Sequence, residues 1–422
     1  ARVNLEDYKS DQKQKPVNKL QQVLRAAAEY YQTSLNKNDK AKQWLMDEKP
    51  NGRGHTEKTI AAMEIGYSDG KLAESLQKQG FSIDQIKQSG LYVEDKNKKG
   101  VWRDYFVSGL VIFPHRLPSG DVGHFTIKDP KKKINYQLSS ENRFNDFYFS
   151  NQRAIRGKEI VIVEGENDLA SCFDININNA MACIGQLSDA QIQWLAKNAT
   201  GKTFYFWFDN DTTWRKPDQP PAGMKYTRKL YQALIKNPDC SVSVLSALMQ
   251  PGEDPDDFIQ KDKTTAKERF DALIRYAMHP LVWEISAMPA DIRNNLEAAE
   301  RYLQDISLFE FMGLVPNIKR GAIVKKLEEI GFYHEAIHAE IKEVYALRKD
   351  LDDFRGGVDP QTQKSERFQR MFAMKVWNYL NEHGKFFVSP GDNLNLFYKH
   401  EIYKIGDGNP WMALLNQEAG LN

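Results

Sequence analysis

Short apolar runs alternate with amphipathic stretches through the middle of the chain. From Glu159 the pattern gives a strand at 159–163, a helix from Asn167, and a strand at 181–184. A helix follows, capped by Ser188 with Gln191 three residues on. Then come a strand at 203–208, a helix near 223–235, a strand at 241–246 and a helix from about Pro255. The strand runs are rich in Val, Ile, Phe and Tyr, as in strands buried on both faces. Strands alternating with helices predict a parallel sheet, here over about residues 158–262.

The flanks follow other periods. Residues 1–16 are polar and read as disordered or a linker. Val17, Leu20, Leu24, Ala27, Ala28 and Tyr31 recur at helical spacing, and a second short helix carries Ala41, Trp44 and Leu45. Thr56 is placed to cap a third helix, with Ile60 and Met63 inward. Ser82 and Gln85 form a capping box, and Gly80 and Gly90 stand where helices end. Residues 17–92 thus read as helical. Leu110–Phe113 and Gly123–Ile127 then flank Pro118-Ser-Gly120 as a hairpin, which completes an N-terminal region over 17–157. Downstream, 264–382 is helical in pattern, as in Ile323, Leu327 and Ile330, and in Ile337, Ile341 and Val344. A linker is expected at 354–366. The stretches 385–388, 394–398 and 402–405 read as short strands, and Ala413-Leu-Leu opens a helix. Residues 383–422 therefore suggest the start of a further domain, as in a fragment of a longer protein. The fold class expected is α/β at the centre and α+β overall.

Carboxylates stand just past three of the central strands: Glu164-Gly-Glu-Asn-Asp168, Asp209-Asn-Asp211 and Asp254-Pro-Asp256. Ligands of open α/β sheets bind outside the carboxyl ends of the strands. Two carboxylates 4 Å apart repel by roughly 4 kcal/mol at an effective dielectric near 20. Their convergence calls for a cation, and oxygen-only donors suit Mg²⁺ or Mn²⁺. Asp168, Asp211 and Asp256 also lie near helix starts, where an acid is favourable anyway. Capping accounts for any single cluster, but not for three at consecutive strand ends. Phe204, Phe206, Trp207 and Phe208 read as core residues of their strand. His115 and His124 read as hairpin residues without a second metal ligand at the right spacing.

The net charge of +1 excludes a general polycation. The basic residues are nevertheless clustered, with Lys131, Lys132 and Lys133 in a run and Arg103, Arg116, Lys128 and Arg143 nearby. Such a patch suits a polyanion held near the acidic site, although a lysine run alone also reads as a solvated loop. Cys172, Cys183 and Cys240 make no C-x-x-C pair, so neither a zinc ribbon nor a disulfide framework is expected. No apolar run approaches 18 residues and no signal peptide is seen, so a cytoplasmic protein without membrane contact is expected.

The order of a strand ending in Glu164-Gly, then Asp209-x-Asp211, resembles the Toprim fold. That fold is shared by DnaG-type primases, type IA and II topoisomerases and some nucleases. Asp254-Pro-Asp256 followed by Asp257-Phe258, and Cys183-Ile-Gly185-Gln-Leu-Ser188, resemble the primases in particular. So do Ala41-x-x-Trp44-Leu45, Thr59-Ile60, Ile65-Gly66-Tyr67, Phe113-Pro114-x-Arg116, Ser119-Gly120 and Val122-Gly123-x-Phe125. Lys133-Ile-Asn135-Tyr136 is similar to the basic region of their core. The resemblance covers about residues 17–262. The chain departs from the family in having no cysteine set for the zinc ribbon, and only Arg103 in the stretch that is Arg-rich elsewhere. Glu166 matches no family role and is read as facing solvent. The segment 385–413 resembles what precedes the motor of primase-helicases, although no G-x-x-x-x-G-K-[ST] motif is present.

The resemblance implies a DNA primase that makes short primers on a single-stranded DNA template from nucleoside triphosphates. It implies Glu164, Asp168, Asp209 and Asp211 as catalytic residues. Glu164, Asp209, Asp211, Asp254 and Asp256 would hold one to three Mg²⁺ or Mn²⁺ ions, with no zinc. Arg103, Arg116, Lys128, Lys131, Lys132, Lys133, Asn135, Tyr136 and Arg143 would bind nucleic acid. A replicative helicase would be the partner, beyond residue 422 or as a separate chain. Two readings stay open beside it: a Toprim metal-dependent nuclease, and a non-catalytic module that holds single strands and docks a helicase. A topoisomerase would need a catalytic tyrosine beside basic residues, which nothing marks.

Overall fold

A computed structural model describes residues 19–95, 97–117, 119–131, 148–185, 187–211, 214, 220–315, 317–341, 385–389, 393–398 and 401–404. The expected disordered stretch 1–16, the linker at 354–366 and the helix opening at Ala413 lie outside these residues. The chain forms two compact units, residues 1–284 and 285–422.

The first unit opens with α1 (Lys19–Asn36), α2 (Asp39–Met46) and α3 (Glu57–Ala62). The Thr56 side chain accepts the Thr59 N–H and caps α3 as its position predicts. β1 (Gly66–Ser68), α4 (Leu72–Lys78) and α5 (Ile83–Gln88) follow. Both hydrogen bonds of the Ser82/Gln85 capping box are made. β2 (Tyr92–Glu94) pairs with β3 (Trp102–Asp104), and β4 (Leu110–Arg116) with β5 (Val122–Lys128). Residues 17–92 are therefore not purely helical. β1 adds to the hairpin in the order β1-β4-β5. Three residues are too few to show a period of two, which is why the pattern misses β1, β2 and β3. The apolar face of α1 packs on this sheet, and the Tyr31 ring meets Phe106 and Phe125 edge-on at 6.3 and 5.9 Å between centroids.

The second half of this unit is a parallel sheet of β6 (Glu159–Val163), β7 (Ala180–Ala182), β8 (Thr203–Phe206) and β9 (Ser241–Val244). Its order is β7-β6-β8-β9, with every pairing parallel. α6 (Glu166–Asp174), α7 (Asp189–Lys197) and α8 (Ala222–Leu234) connect its strands, and α9 (Pro255–Gln260) follows β9. β8 ends two residues before the expected Phe208. The Trp207 N–H still reaches the Ile162 carbonyl at 2.8 Å, after which the chain turns away. Phe204, Phe206, Trp207 and Phe208 are fully buried, as core residues should be.

Side chains brace the N-terminal half, and one carboxylate ties it to the parallel-sheet half. Arg116 forms a two-pronged pair with Glu64 at 2.5 and 2.6 Å and also donates to the Gly120 carbonyl. His115 hydrogen-bonds Ser150 and Thr126. Asp174, its side chain 1% exposed, accepts from the Thr56 N–H and hydroxyl at 2.9 Å and pairs with His55 Nδ1 at 3.0 Å. In the second unit, helices at Leu296–Asp305, Leu308–Leu314 and Asn317–Ile330 bury Leu303, Leu308, Met312, Ile323 and Leu327. Strands Lys385–Ser389, Asn393–Tyr398 and Glu401–Lys404 form an antiparallel sheet where the pattern predicts them. Among the described residues no helix is long and apolar enough to cross a membrane.

Asp174 yields a test. Burial by itself raises its pKa, but the hydrogen bonds and charge of His55, with the bonds from Thr59 and Thr56, bring it below the ordinary value. A lowered carboxyl pKa adds stability above the unfolded value, about pH 4, and that stability is lost as pH falls through the folded value. Asp174→Asn should cost about 1–3 kcal/mol in urea melts at neutral pH. It should also flatten the acid limb of the stability profile, whereas equal losses at neutral and acid pH would argue against this tie.

Candidate active site

Three strand ends meet at one rim of the parallel sheet. Glu164 directly follows β6, and its carbonyl accepts the Ile184 N–H from the end of β7 at 3.0 Å. Asp209 and Asp211 follow β8. Between them the buried Asn210 joins two loops: its N–H donates to the Glu253 carbonyl at 3.0 Å, and its own carbonyl accepts the Gly252 N–H at 2.7 Å. Its side-chain amide donates to the Met249 and Gln250 carbonyls at 2.9 and 3.2 Å. The second and third acidic clusters are thereby fixed to each other through main chain. Helix α8 presses on the same rim. A Cβ at Gly223 would stand 2.7 Å from the Asp209 carbonyl, so only glycine allows this approach.

The electrostatics follow from this placement. Burial raises the pKa of Glu164, and Asp211 and Asp254 raise it further, with Lys128 opposing them. Asp209 is pushed up to about 7 by burial and then by Glu164, Asp254, Asp211 and Asp257. Asp254 is raised by burial, against the Asp257 N–H that it accepts as the N-cap of α9 and against Lys49. Asp168 is buried as well. It is raised well above the usual carboxyl range by burial, Asp254, Asp209 and Asp256, although it accepts the Gly165 N–H at 2.8 Å. Capping is thus real for Asp254 and contributes at Asp168, and neither carboxylate is relieved by it. These are oxygen donors from three loops, of the kind that suits a hard divalent cation. Like charges keep their distance, and among the described residues no three such side chains are gathered closely enough to hold an ion.

Asp256 differs from its neighbours. Both of its oxygens have donors: the Ser171 hydroxyl at 2.5 Å, and Lys49 Nζ at 2.8 Å. Neither Lys49 nor Ser171 is distinguished in the sequence by any motif. Glu166 is not solvent-facing as expected. It is 5% exposed, and Lys128 Nζ lies 3.1 Å away. Burial would raise its pKa, but Lys128, His115 and a hydrogen bond with Thr126 lower it. The sequence pattern cannot show this, because β5 supplies the partner from another element.

The basic residues are less uniform than their clustering suggests. Lys128 faces the acidic rim, and Lys131 is exposed. Arg103 pairs with Asp95 at 3.2 Å and donates to the Asp104 carbonyl, while Arg116 is committed to Glu64. Lys132, Lys133, Asn135, Tyr136 and Arg143 lie outside the described residues.

Residues 161–259 match the Toprim-like family model. The chain is 26% identical over 385 residues to a DNA primase of Clostridium acetobutylicum, across 88% of this chain and 58% of that protein. It thus spans less than two thirds of that relative. A DNA primase domain from Pseudomonas aeruginosa superposes with a TM-score of 0.57 at 23% identity, covering 78% of this chain and 99% of that domain. The chain has the fold of a DnaG primase catalytic core. A DnaG primase catalytic domain solved with single-stranded DNA agrees, with a TM-score of 0.55 at 20% identity over 74% of this chain and 95% of that one. In this primase-core fold the mixed helix and sheet architecture, the parallel sheet and the Toprim-like segment are as the sequence predicts.

The crowding of charge can be measured directly. Asp209→Asn should raise the melting temperature of the protein in EDTA by about 1–2 °C, as expected for relief of roughly 1 kcal/mol in a chain of this size. If the rim holds a divalent cation, the same change should shrink the further rise on adding Mn²⁺. A melting temperature below wild type in EDTA would mean that Asp209 is stabilised by its neighbours rather than repelled.

Proposed function

We propose that the protein is a DNA primase, synthesising short primers on single-stranded DNA from nucleoside triphosphates. The observation that carries this reading is the meeting of Glu164, Asp209, Asp211 and Asp254 at one rim of a primase-core fold, pinned there by Asn210. Glu164, Asp209, Asp211 and Asp254 are the carboxylates open to divalent cations, with Asp168 buried beside them, while both oxygens of Asp256 are bonded within the protein. Mg²⁺ or Mn²⁺ held by these carboxylates would supply activation of a 3′-hydroxyl and compensation for the charge developing on the triphosphate. The chain's own part is to hold these oxygens in a fixed frame and to keep Lys128 beside them. Lys131–Lys133, with Arg143, supply backbone contacts to the template strand.

In this reading, residues 17–157 form the N-terminal part of the core and 158–262 its Toprim catalytic part. The helical 264–382 and the β region 383–422 connect the core to a replicative helicase. The site of action is the cytoplasm.

Incubating the protein with single-stranded circular DNA, labelled nucleotides and Mg²⁺ or Mn²⁺ should give labelled oligomers. Glu164→Ala should reduce their yield by at least about two orders of magnitude, as for loss of a group that stabilises the transition state. Nicked or shortened DNA in place of oligomers would indicate a nuclease, and no product would indicate a binding module.

Changing Lys131, Lys132 and Lys133 together to Ala should weaken single-strand binding in fluorescence anisotropy. Loss of three phosphate contacts reduces the log–log salt slope by about two. An unchanged slope would leave the run as a solvated loop.

A further inference from the structure

The third acidic pair already has a positive charge bonded to it. Lys49 Nζ lies 2.8 Å from Asp256 Oδ2 and also bonds Asp257. The Asp256 side chain is only 3% exposed, and its other oxygen accepts the Ser171 hydroxyl, which itself accepts from Gln260 Nε2 at 3.0 Å. Every oxygen of Asp256 is thus taken by a donor from the protein.

The loop that delivers Lys49 is firmly built. After α2 the chain folds back on that helix, with Arg53 N–H to the Trp44 carbonyl, Gly54 N–H to Asp47 and His55 N–H to Leu45 at 2.7–2.9 Å. Gly52 packs so tightly that a Cβ would stand 2.4 Å from the carbonyls of both Asp47 and Trp44. The ammonium is therefore presented from a fixed support in the N-terminal region to an acid in the first turn of α9.

We infer that Lys49 is a tethered cation of the active-site rim. It neutralises Asp256 where a divalent ion would otherwise compete, and it confines exchangeable metal to Glu164, Asp209, Asp211 and Asp254. This rests on the metal reading given above. A lysine ammonium is a compact point charge, and an attached one is present at any concentration of free ion. Asp256 is then a positioning residue. It orients the first turn of α9, whose N-cap is Asp254, and does not itself ligate metal.

The alternative is a staple joining two parts of the fold, and a staple has no bearing on metal count. Titration of the 422-residue chain with Mn²⁺, followed by electron paramagnetic resonance of the free ion, separates the two. Lys49→Met should bind a further Mn²⁺, or bind the weakest one at least about tenfold more tightly, since loss of a nearby positive charge is worth more than 1.4 kcal/mol. Lys49→Arg should keep the wild-type count and affinity. Asp256→Asn should also keep the wild-type count, and it serves as the deciding arm if Lys49→Met does not melt cooperatively. Equal count and affinity in wild type and Lys49→Met, or a bound Mn²⁺ lost in Asp256→Asn, would overturn the inference. Absence of Mn²⁺ binding in both wild type and Lys49→Met would overturn the metal reading and this inference with it.

Discussion

Carboxylates brought out of water beside one another repel, and the active-site rim exists because main-chain bonding withstands that repulsion. Parallel pairing delivers the ends of β6, β8 and β9 to one edge of the sheet. Asn210 then locks the loop after β8 to the loop before α9 with hydrogen bonds that carry no net charge. The raised pKa values of Glu164, Asp209 and Asp254 record the electrostatic cost of this placement. Such a cost persists where function requires it.

Acids elsewhere in the same half are treated differently. Glu166, Asp174 and Asp256 are buried too, yet each has a basic partner: Lys128, His55 and Lys49. An unpaired buried charge is strongly unfavourable, and a paired one is tolerated. The contrast between acids with bonded counter-groups and acids facing one another separates the scaffold from the chemistry without recourse to any motif.

Much of this was legible in the sequence because it is local. The two capping boxes, the apolar runs of the parallel strands and the carboxylates that follow them are all written within a few residues, and each appears in the structure. The three-residue strands β1, β2 and β3 were not legible; packing of Gly66 against Tyr31 defines β1 more than any alternation does. Nor was Glu166, which sits in the same Glu-Gly-Glu string as Glu164 but is turned towards β5. Lys49 and Asn210 were missed for the same reason. One depends on a contact across about 200 residues and the other on a loop that only the fold brings near. Arg116 shows the converse, a basic residue in a basic neighbourhood whose charge is already spent on Glu64.

The counter-groups of all three paired acids come from the N-terminal region, and their acids from helices α6 and α9 that flank the parallel sheet. The parallel sheet is therefore not an exchangeable module. Grafted alone onto another scaffold, it would carry three buried negative charges with nothing to answer them. Recombination that preserved every strand and every rim carboxylate would still fail unless it also brought Lys49, His55 and Lys128. The boundary along which this chain can be cut or shuffled is thus set by where its charges are balanced, not by where its sheet begins.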